Sequence, residues 1–442
     1  MSKATSIDQR EADIRSLLAL VNSSVEDAIA AWKEKGGVPG LGDAPAGDKS
    51  PSPALLRAIR VLDSASQQMT FLLRPTFLNL TNVAFMPIEA AALRTATEAK
   101  IADFLDGKPK GAHVDEIAKK TGLPPFELAC ILRCLTMKHI FREVSKDVFG
   151  NNRGSYVLRS VDPNSAFVGF MLGEASSLGL ANMYEALHDP EYGPSLESKR
   201  SVFSYNIRKE YPNTALFDWY LKHPEQHERF NRAMTAVNLA NVSDFYPVAS
   251  LPPDTTWCDI GGGIGGPLAK VAGANPKLRL TLQDLPNVIE RGKEQGRFNF
   301  VPIDFTEEAP VEGQDIYYMR FIVHDWPDDV ATVILKNIRK AMKPSSRLLV
   351  HDLVLPTPSD GSTAGGTKNS AMNSMDAPPP LLPNYGAGGI LPLALDINVM
   401  ALLNAKERSI DDVVQLAKQA DMKFVQFWDG VESGVIELGP MH

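Results

Sequence analysis

The sequence predicts an α/β protein in which a mainly helical N-terminal part precedes a doubly wound, Rossmann-like sheet. Three observations carry that reading. From about residue 252 onward, short apolar runs alternate with helical patterns, the mark of a parallel sheet covered on both faces. The first of these runs ends in a glycine loop, Asp259-Ile260-Gly261-Gly262-Gly263-Ile264-Gly265-Gly266. Between residues 54 and 234, apolar positions recur instead at helical spacing, as in Leu55, Ile59 and Leu62 or Ile101, Phe104 and Leu105.

At 442 residues and 44% hydrophobic content the chain is long enough for more than one core, since single cores stop growing at roughly 250 to 300 residues. The pattern divides it into an N-terminal helix and linker (1–53), a helical domain (54–234) and a cofactor-binding α/β domain (235–442). A net charge of −8 gives no diffuse attraction for nucleic acid or an anionic membrane surface. The three cysteines, Cys130, Cys134 and Cys258, encode neither a disulfide framework nor a four-ligand metal site, so no metal is expected. The first residues lead into charged, helix-like sequence, and no uninterrupted run of about 18 apolar residues occurs. A soluble protein of a reducing, cytoplasmic compartment is the expectation.

Residues 7–35 carry Ile14, Leu17, Leu18, Val21, Val25 and Ile29 on a helical stripe, followed by a Gly/Pro/Asp-rich linker to Pro53. Residues 113–123 read as a short helix closing on Gly122, and 124–139 as a second helix. A strand-like 140–144 and a Gly/Asn turn before Ser155 complete a helix-turn-helix with a wing. A DNA-reading second helix needs polar and basic side chains, whereas this one carries Leu128, Ala129, Ile131, Leu132 and Leu135 with only Arg133 and Lys138. Strands are predicted at 256–260, 279–283, 298–302, 315–320 and 347–355, then a hairpin at 423–428 and 434–438. The Pro/Gly/Ser/Asn-rich 356–392 reads as a mobile insertion of the kind that forms lids.

The glycine loop lets bare backbone approach a ligand at a helix N-terminus, where unpaired amides supply donors. The spacing Gly261, Gly263, Gly266 also suits a dinucleotide, and the loop alone does not separate the two cofactors. Asp259, Asp284 and Asp304 close three successive strands. Asp284 is placed to take both hydroxyls of a ribose, and Phe305 beside Asp304 is suited to stacking on adenine.

In Val323-His324-Asp325-Trp326-Pro327-Asp328-Asp329, Pro327 and the acids suit a helix start, so Asp325, Asp328 and Asp329 are expected to cap it. His324 does nothing for the helix. It lies at the ligand-binding end of the sheet, with an ordinary pKa near 6.5 suited to a general base. A packed histidine fits these residues equally well.

Four motifs in order, Asp259-Ile260-Gly261-Gly262-Gly263, Gln283-Asp284-Leu285-Pro286, Val323-His324-Asp325-Trp326-Pro327-Asp328 and the segment from Leu395 to Arg408, resemble the plant and fungal small-molecule O-methyltransferases of the caffeate/flavonoid and fungal polyketide type. The resemblance implies a class I methyltransferase sheet behind an N-terminal winged-helix dimerisation domain, with S-adenosylmethionine as cofactor and homodimerisation. It implies that Gly261, Asp284, Asp304, Phe305 and Arg320 contact the cofactor, Asp259 and Gly263 belonging to the same loop, while Trp326 packs near the adenine. Arg320 stands where the family usually has lysine, and Asp352 where plant members generally have glutamate. It further implies that His324 is the base, oriented by Asp352 and Glu407, and that Phe230, Met234, Met400 and Asn404 line the acceptor pocket.

The implied reaction is removal of a proton from a hydroxyl of a small secondary metabolite and in-line attack of its oxygen on the sulfonium methyl. One rival keeps the bound cofactor but runs a cyclisation, pericyclic step or dehydration, which intact His324 and Glu407 oppose. Another, a DNA-binding regulator that senses a small molecule, conflicts with the acidic total.

Overall fold

A computed structural model describes residues 7–44, 51–236, 241–293, 298–356 and 376–441. The chain divides into two compact units, one of residues 1–28, 50–69 and 239–442, the other of 29–49 and 70–238. Sequence position had grouped residues 54–69 with the helical domain and 1–28 with a separate arm; both belong instead to the unit of the sheet. The reason is packing: Leu17 of the helix Ile7–Lys33 and Ala65 of the helix Pro53–Leu73 are buried together with Leu381.

In the first unit seven strands form one mixed sheet in the order β6-β5-β4-β7-β8-β10-β9, comprising β4 (Thr256–Ile260), β5 (Arg279–Asp284), β6 (Asn299–Pro302), β7 (Ile316–Arg320), β8 (Arg347–Asp352), β9 (Met422–Asp429) and β10 (Gly434–Pro440). Strands β6, β5, β4, β7 and β8 are parallel, and β10 runs antiparallel between β8 and β9. Because successive side chains of a strand face opposite ways, each central strand feeds two cores. Cys258, Ile260, Tyr317, Met319, Leu348 and Val350 pack under the helices Asp328–Ala341 and Ile410–Gln419, while Trp257, Ile316, Tyr318 and Leu349 pack on the other face with Leu268 and Val271.

The helix Asp328–Ala341 shows why such elements form. Ala331, Ile334, Leu335 and Ile338 make its buried stripe, Asp328 and Asp329 sit in its first turn, and Arg339 and Lys340 in its last. Each fully buried Ile or Leu is worth roughly 1.5–3 kcal/mol.

The second unit has its own core of Ile101, Leu105, Ile117, Leu128, Leu132, Leu135, Phe141 and Phe149. The helix Val114–Thr121 opens on a His113/Glu116 capping box and ends on Gly122 at φ 76°, a left-handed turn glycine takes without strain. The helix Pro125–Thr136 follows, then β2 (Arg142–Ser145) and β3 (Val148–Gly150), with β1 (Ala112–His113) completing a small antiparallel sheet in the order β1-β3-β2. The return strand is therefore Val148–Gly150; the expected partner around Ser155 lies instead in the helical turn Arg153–Tyr156. Arg133 is engaged by Glu143 and Asp147.

Of the 356–392 insertion, 357–375 lie outside the described residues. The part read as mobile that is described, 376–392, is packed: Gln68 donates to the Pro380 carbonyl and accepts from Leu382 N–H, and Leu381 is buried. The segment Gly386–Leu403 is long and apolar enough to cross a membrane by composition, and within the fold its Val399, Ala401, Leu402 and Leu403 are buried.

Candidate active site

The site stands at the C-terminal ends of β4, β5, β7 and β8, where helix-connected parallel strands leave a crevice. The loop after β4 turns back with Gly261 N–H on the Gln283 carbonyl at 2.8 Å and Gly263 N–H on Asp284 Oδ2 at 2.8 Å. Gly261 and Gly263 have φ of 70° and 60°, and a Cβ on Gly262 would come within 2.7 Å of the Asp259 carboxylate. A Cβ on Gly263 or Gly266 would meet no protein atom within 4 Å, so the loop presents bare backbone to open space. That open cradle is what a nucleoside-bearing cofactor needs.

Asp284 holds the loop with one oxygen and Leu285 N–H with the other, at 2.7 Å, and keeps acceptor capacity for ribose hydroxyls on both. Asp304 closes an Asx turn through Oδ1 to Thr306. Phe305 reaches the loop at Gly261 and meets Trp326 edge to face at 6.2 Å, supplying the apolar walls an adenine would use. Asp259 is 1% exposed and its Oδ2 has no hydrogen-bond partner. Burial pushes its carboxyl up to about 7, with Arg320 pulling against that. An orphaned buried acid beside a cation, facing this loop, suits the zwitterionic end of an amino-acid-derived cofactor. The residues fit S-adenosylmethionine.

The turn after β7 carries His324. Phe321 has φ 53°, a conformation costly for an aromatic residue and the kind of strain found at functional sites, and it swings the chain into the turn Val323–Asp325. His324 Nδ1 hydrogen-bonds Glu407 Oε1 at 2.8 Å, with the Glu407 side chain fully buried, and Nε2 lies 3.5 Å from Asp325 Oδ1. Asp352 acts on the ring through its charge; its Oδ1 is buried without a hydrogen-bond partner. Burial opposes charging the imidazole, but Asp325, Glu407 and Asp352 outweigh it and push the pKa up to about 10. The same crowding of carboxylates adds to burial in raising Asp352 to about 7.

Asp325 corrects the sequence reading that made it a helix cap. The helix begins only at Asp328, with Pro327 as its N-cap residue, and Asp325 turns instead toward the imidazole. Its neighbour Asp328 pairs with Lys406 and Arg408, and Asp329 accepts from Val330 N–H. The identical acid lettering of the motif concealed this division, which depends on where the turn ends. His351, also unassigned from sequence, is a fully buried joint: Nδ1 meets Tyr318 OH at 2.6 Å and Nε2 meets Ser433 Oγ at 2.9 Å. Burial and the neighbouring Arg320 hold it neutral.

Of the expected pocket residues, Met400 and Asn404 lie in the unit that carries His324. Asn404, at φ 55°, ends the helix Ile390–Leu403 with its N–H on the Met400 carbonyl. Phe230 and Met234 belong to the other unit, where Phe230 packs against Phe170, Phe217 and Tyr220.

A seven-stranded sheet with this strand order, an open glycine loop backed by Asp284, and a carboxylate-held histidine fit an S-adenosylmethionine-dependent methyltransferase. Residues 198–378 match the O-methyltransferase domain model. The chain is 35% identical to 3-O-methyltransferase 2 of Phanerochaete chrysosporium, over 97% of each protein. It belongs to the O-methyltransferase family and is an S-adenosylmethionine-dependent enzyme. Among solved structures it resembles mitomycin 7-O-methyltransferase MmcR (23% identity, 83% of this chain and 98% of that one, TM-score 0.65). It also resembles a pericyclic reaction enzyme (18%, 87% and 94%, TM-score 0.70). Both likenesses are of fold.

Proposed function

We propose that the chain methylates a phenolic or enolic hydroxyl of a small secondary metabolite, with His324 as the general base. The observation that carries this is the buried Glu407–His324 pair, which engages Nδ1 at 2.8 Å and leaves Nε2, 3.5 Å from Asp325 Oδ1, as the nitrogen to take a proton. Bound S-adenosylmethionine supplies an electrophilic methyl group on a sulfonium whose sulfur is the leaving group. The glycine loop, Asp284, Phe305 and Trp326 would hold it, and Asp259 with Arg320 would take its charged end.

His324 handles the proton. A phenol ionises near pH 10 in water, and the surrounding carboxylates raise the imidazole well above its ordinary 6.5, which strengthens Nε2 as an acceptor for the hydroxyl proton. Asp325, Asp352 and Glu407 stabilise the imidazolium that results. Most of the remaining acceleration is positioning.

The test is incubation of the purified chain with methyl-labelled S-adenosylmethionine and a panel of phenols, enols and aromatic acids, beside His324→Ala. Label transfer that falls by 10²-fold or more in the variant supports the base; full activity in the variant sinks it. Tight cofactor binding with acceptor conversion but no S-adenosylhomocysteine would instead favour a cyclisation or pericyclic reaction.

The second unit's helix pair and three-stranded sheet are, in this reading, a winged helix turned to dimerisation. Its support is the helix Thr76–Glu98, on which Phe77, Leu80, Val83, Phe85 and Ile88 are all exposed, apolar surface that a second copy of the chain would cover. The free cysteines, Cys130 among them exposed, suit a reducing cytoplasmic setting.

A further inference from the structure

Arg408 is 4% exposed, a cation almost withdrawn from water. All three of its guanidinium nitrogens are engaged: Nη1 donates to the Val323 carbonyl at 2.6 Å, Nη2 to the Trp326 carbonyl at 2.7 Å, and Nε and Nη2 to Asp328 Oδ1 at 3.1 and 2.8 Å. Those acceptors bracket the turn that carries His324. The residue before it, Glu407, holds the imidazole through Nδ1 at 2.8 Å. The backbone of this segment is pinned as well, with Glu407 N–H on Asp396 Oδ1 at 2.9 Å and the Arg408 carbonyl accepting from Leu355 N–H at 3.0 Å. Two consecutive side chains from one clamped segment thus fix both ends of the same hydrogen bond: Glu407 sets the carboxylate, and Arg408 sets the backbone from which the imidazole projects.

We propose that Arg408 is a positioning residue for methyl transfer, acting through His324 by locking the 323–328 turn. The proposal rests on His324 being the base. A guanidinium is required because three acceptors around a planar fork match its donor directions, while an ammonium keeps the charge but cannot span them. A misplacement of about 1 Å at a catalytic group costs on the order of 10²-fold in rate.

The experiment uses the full chain as wild type, Arg408→Lys, Asp328→Asn, His324→Ala and the His324→Ala/Arg408→Lys double variant, with methyl transfer measured across pH on a phenol the wild type accepts. Arg408→Lys is expected to lower kcat about 10²-fold and to move the rising limb of kcat/KM to lower pH by about one unit, because Glu407 and Nδ1 fall out of alignment while the charge is kept. In the His324→Ala background the same lysine change should cost less than about threefold, since a positioning effect has nothing left to position. Asp328→Asn, which neutralises the half-exposed anchor but leaves an oxygen to accept from Arg408, should show a smaller loss in the same direction and serves if the lysine variant does not fold. Wild-type kcat and an unshifted limb in both Arg408→Lys and Asp328→Asn overturn the proposal, as does an equal loss in both backgrounds, which marks general destabilisation. Full activity of His324→Ala refutes the base itself and is read separately from the Arg408 effect.

Discussion

Replacing Glu407 by glutamine tests the electrostatics of the site most directly. The Glu407 carboxylate is one of three that lift the His324 imidazole from 6.5 to about 10 against the cost of burial, and the one that hydrogen-bonds it, at 2.8 Å. A buried hydrogen bond to a charged group contributes about 1.5–3 kcal/mol, which at about 1.4 kcal/mol per tenfold change corresponds to roughly one to two pH units. Wild-type kcat/KM for an acceptor ionising near pH 10 should therefore rise about tenfold per pH unit from pH 7 to 9, because the imidazole is still mostly protonated there. In Glu407→Gln the midpoint of that rise should fall to between about pH 8 and 9, and the plateau should drop about 10²-fold as the ring loses its fixed orientation. Label transfer from S-adenosylmethionine between pH 6 and 10.5, at acceptor concentrations well below KM, measures both. A rising limb that stays in place or moves upward would refute the assignment of Glu407 as the residue that raises His324.

Three further outcomes follow from the same geometry. Asp259 folds with its carboxyl raised to about 7 from an ordinary value near 3.8, so its preference for the proton stabilises the fold below about pH 4 and is lost as pH rises through about 7. Asp259→Asn should then raise the melting temperature of the cofactor-free protein at pH 8, by up to about 4 kcal/mol of stability, with no gain near pH 4; equal effects at both pH values would contradict the linkage. Gly263→Ala puts a Cβ where no protein atom lies within 4 Å, so calorimetry should show cofactor affinity weakened tenfold or more while strain at φ 60° costs about 1–2 kcal/mol of stability; unchanged affinity would place the cofactor elsewhere. Phe77→Asp with Val83→Asp should convert the chain to monomers in light scattering with the fold retained, and a wild type already monomeric would remove the dimer reading.

Much of this was readable in advance because it is written in local pattern. All seven strands of the sheet begin and end within a few residues of where alternating or continuous apolar runs placed them, and β8 stops at Asp352 rather than at Leu355. The glycine loop, Asp284 and His324 were visible because bare backbone at a strand end and a histidine useless to its helix are chemical oddities at single positions. Asp325 was misread for the complementary reason: a turn of acids before a helix looks the same whichever of them faces inward, and only the start at Asp328 separates cap from site. Arg408 gave no signal, since its partners Val323 and Trp326 act through carbonyls that every residue has.

The sequence by itself determined the order of elements and the position of the glycine loop, because these depend on residue type and short-range spacing, and it singled out His324 without separating a packed role from a catalytic one. The resemblance put both Glu407 and Asp352 beside His324; only the tertiary structure decided that Glu407, 83 residues away in sequence, makes the hydrogen bond while Asp352 Oδ1 is buried without a partner. It also decided that the N-terminal helices pack with the unit of the sheet. Long-range contacts of this kind are set by which strand ends and helix faces the packed core brings together, and no local pattern encodes that distance.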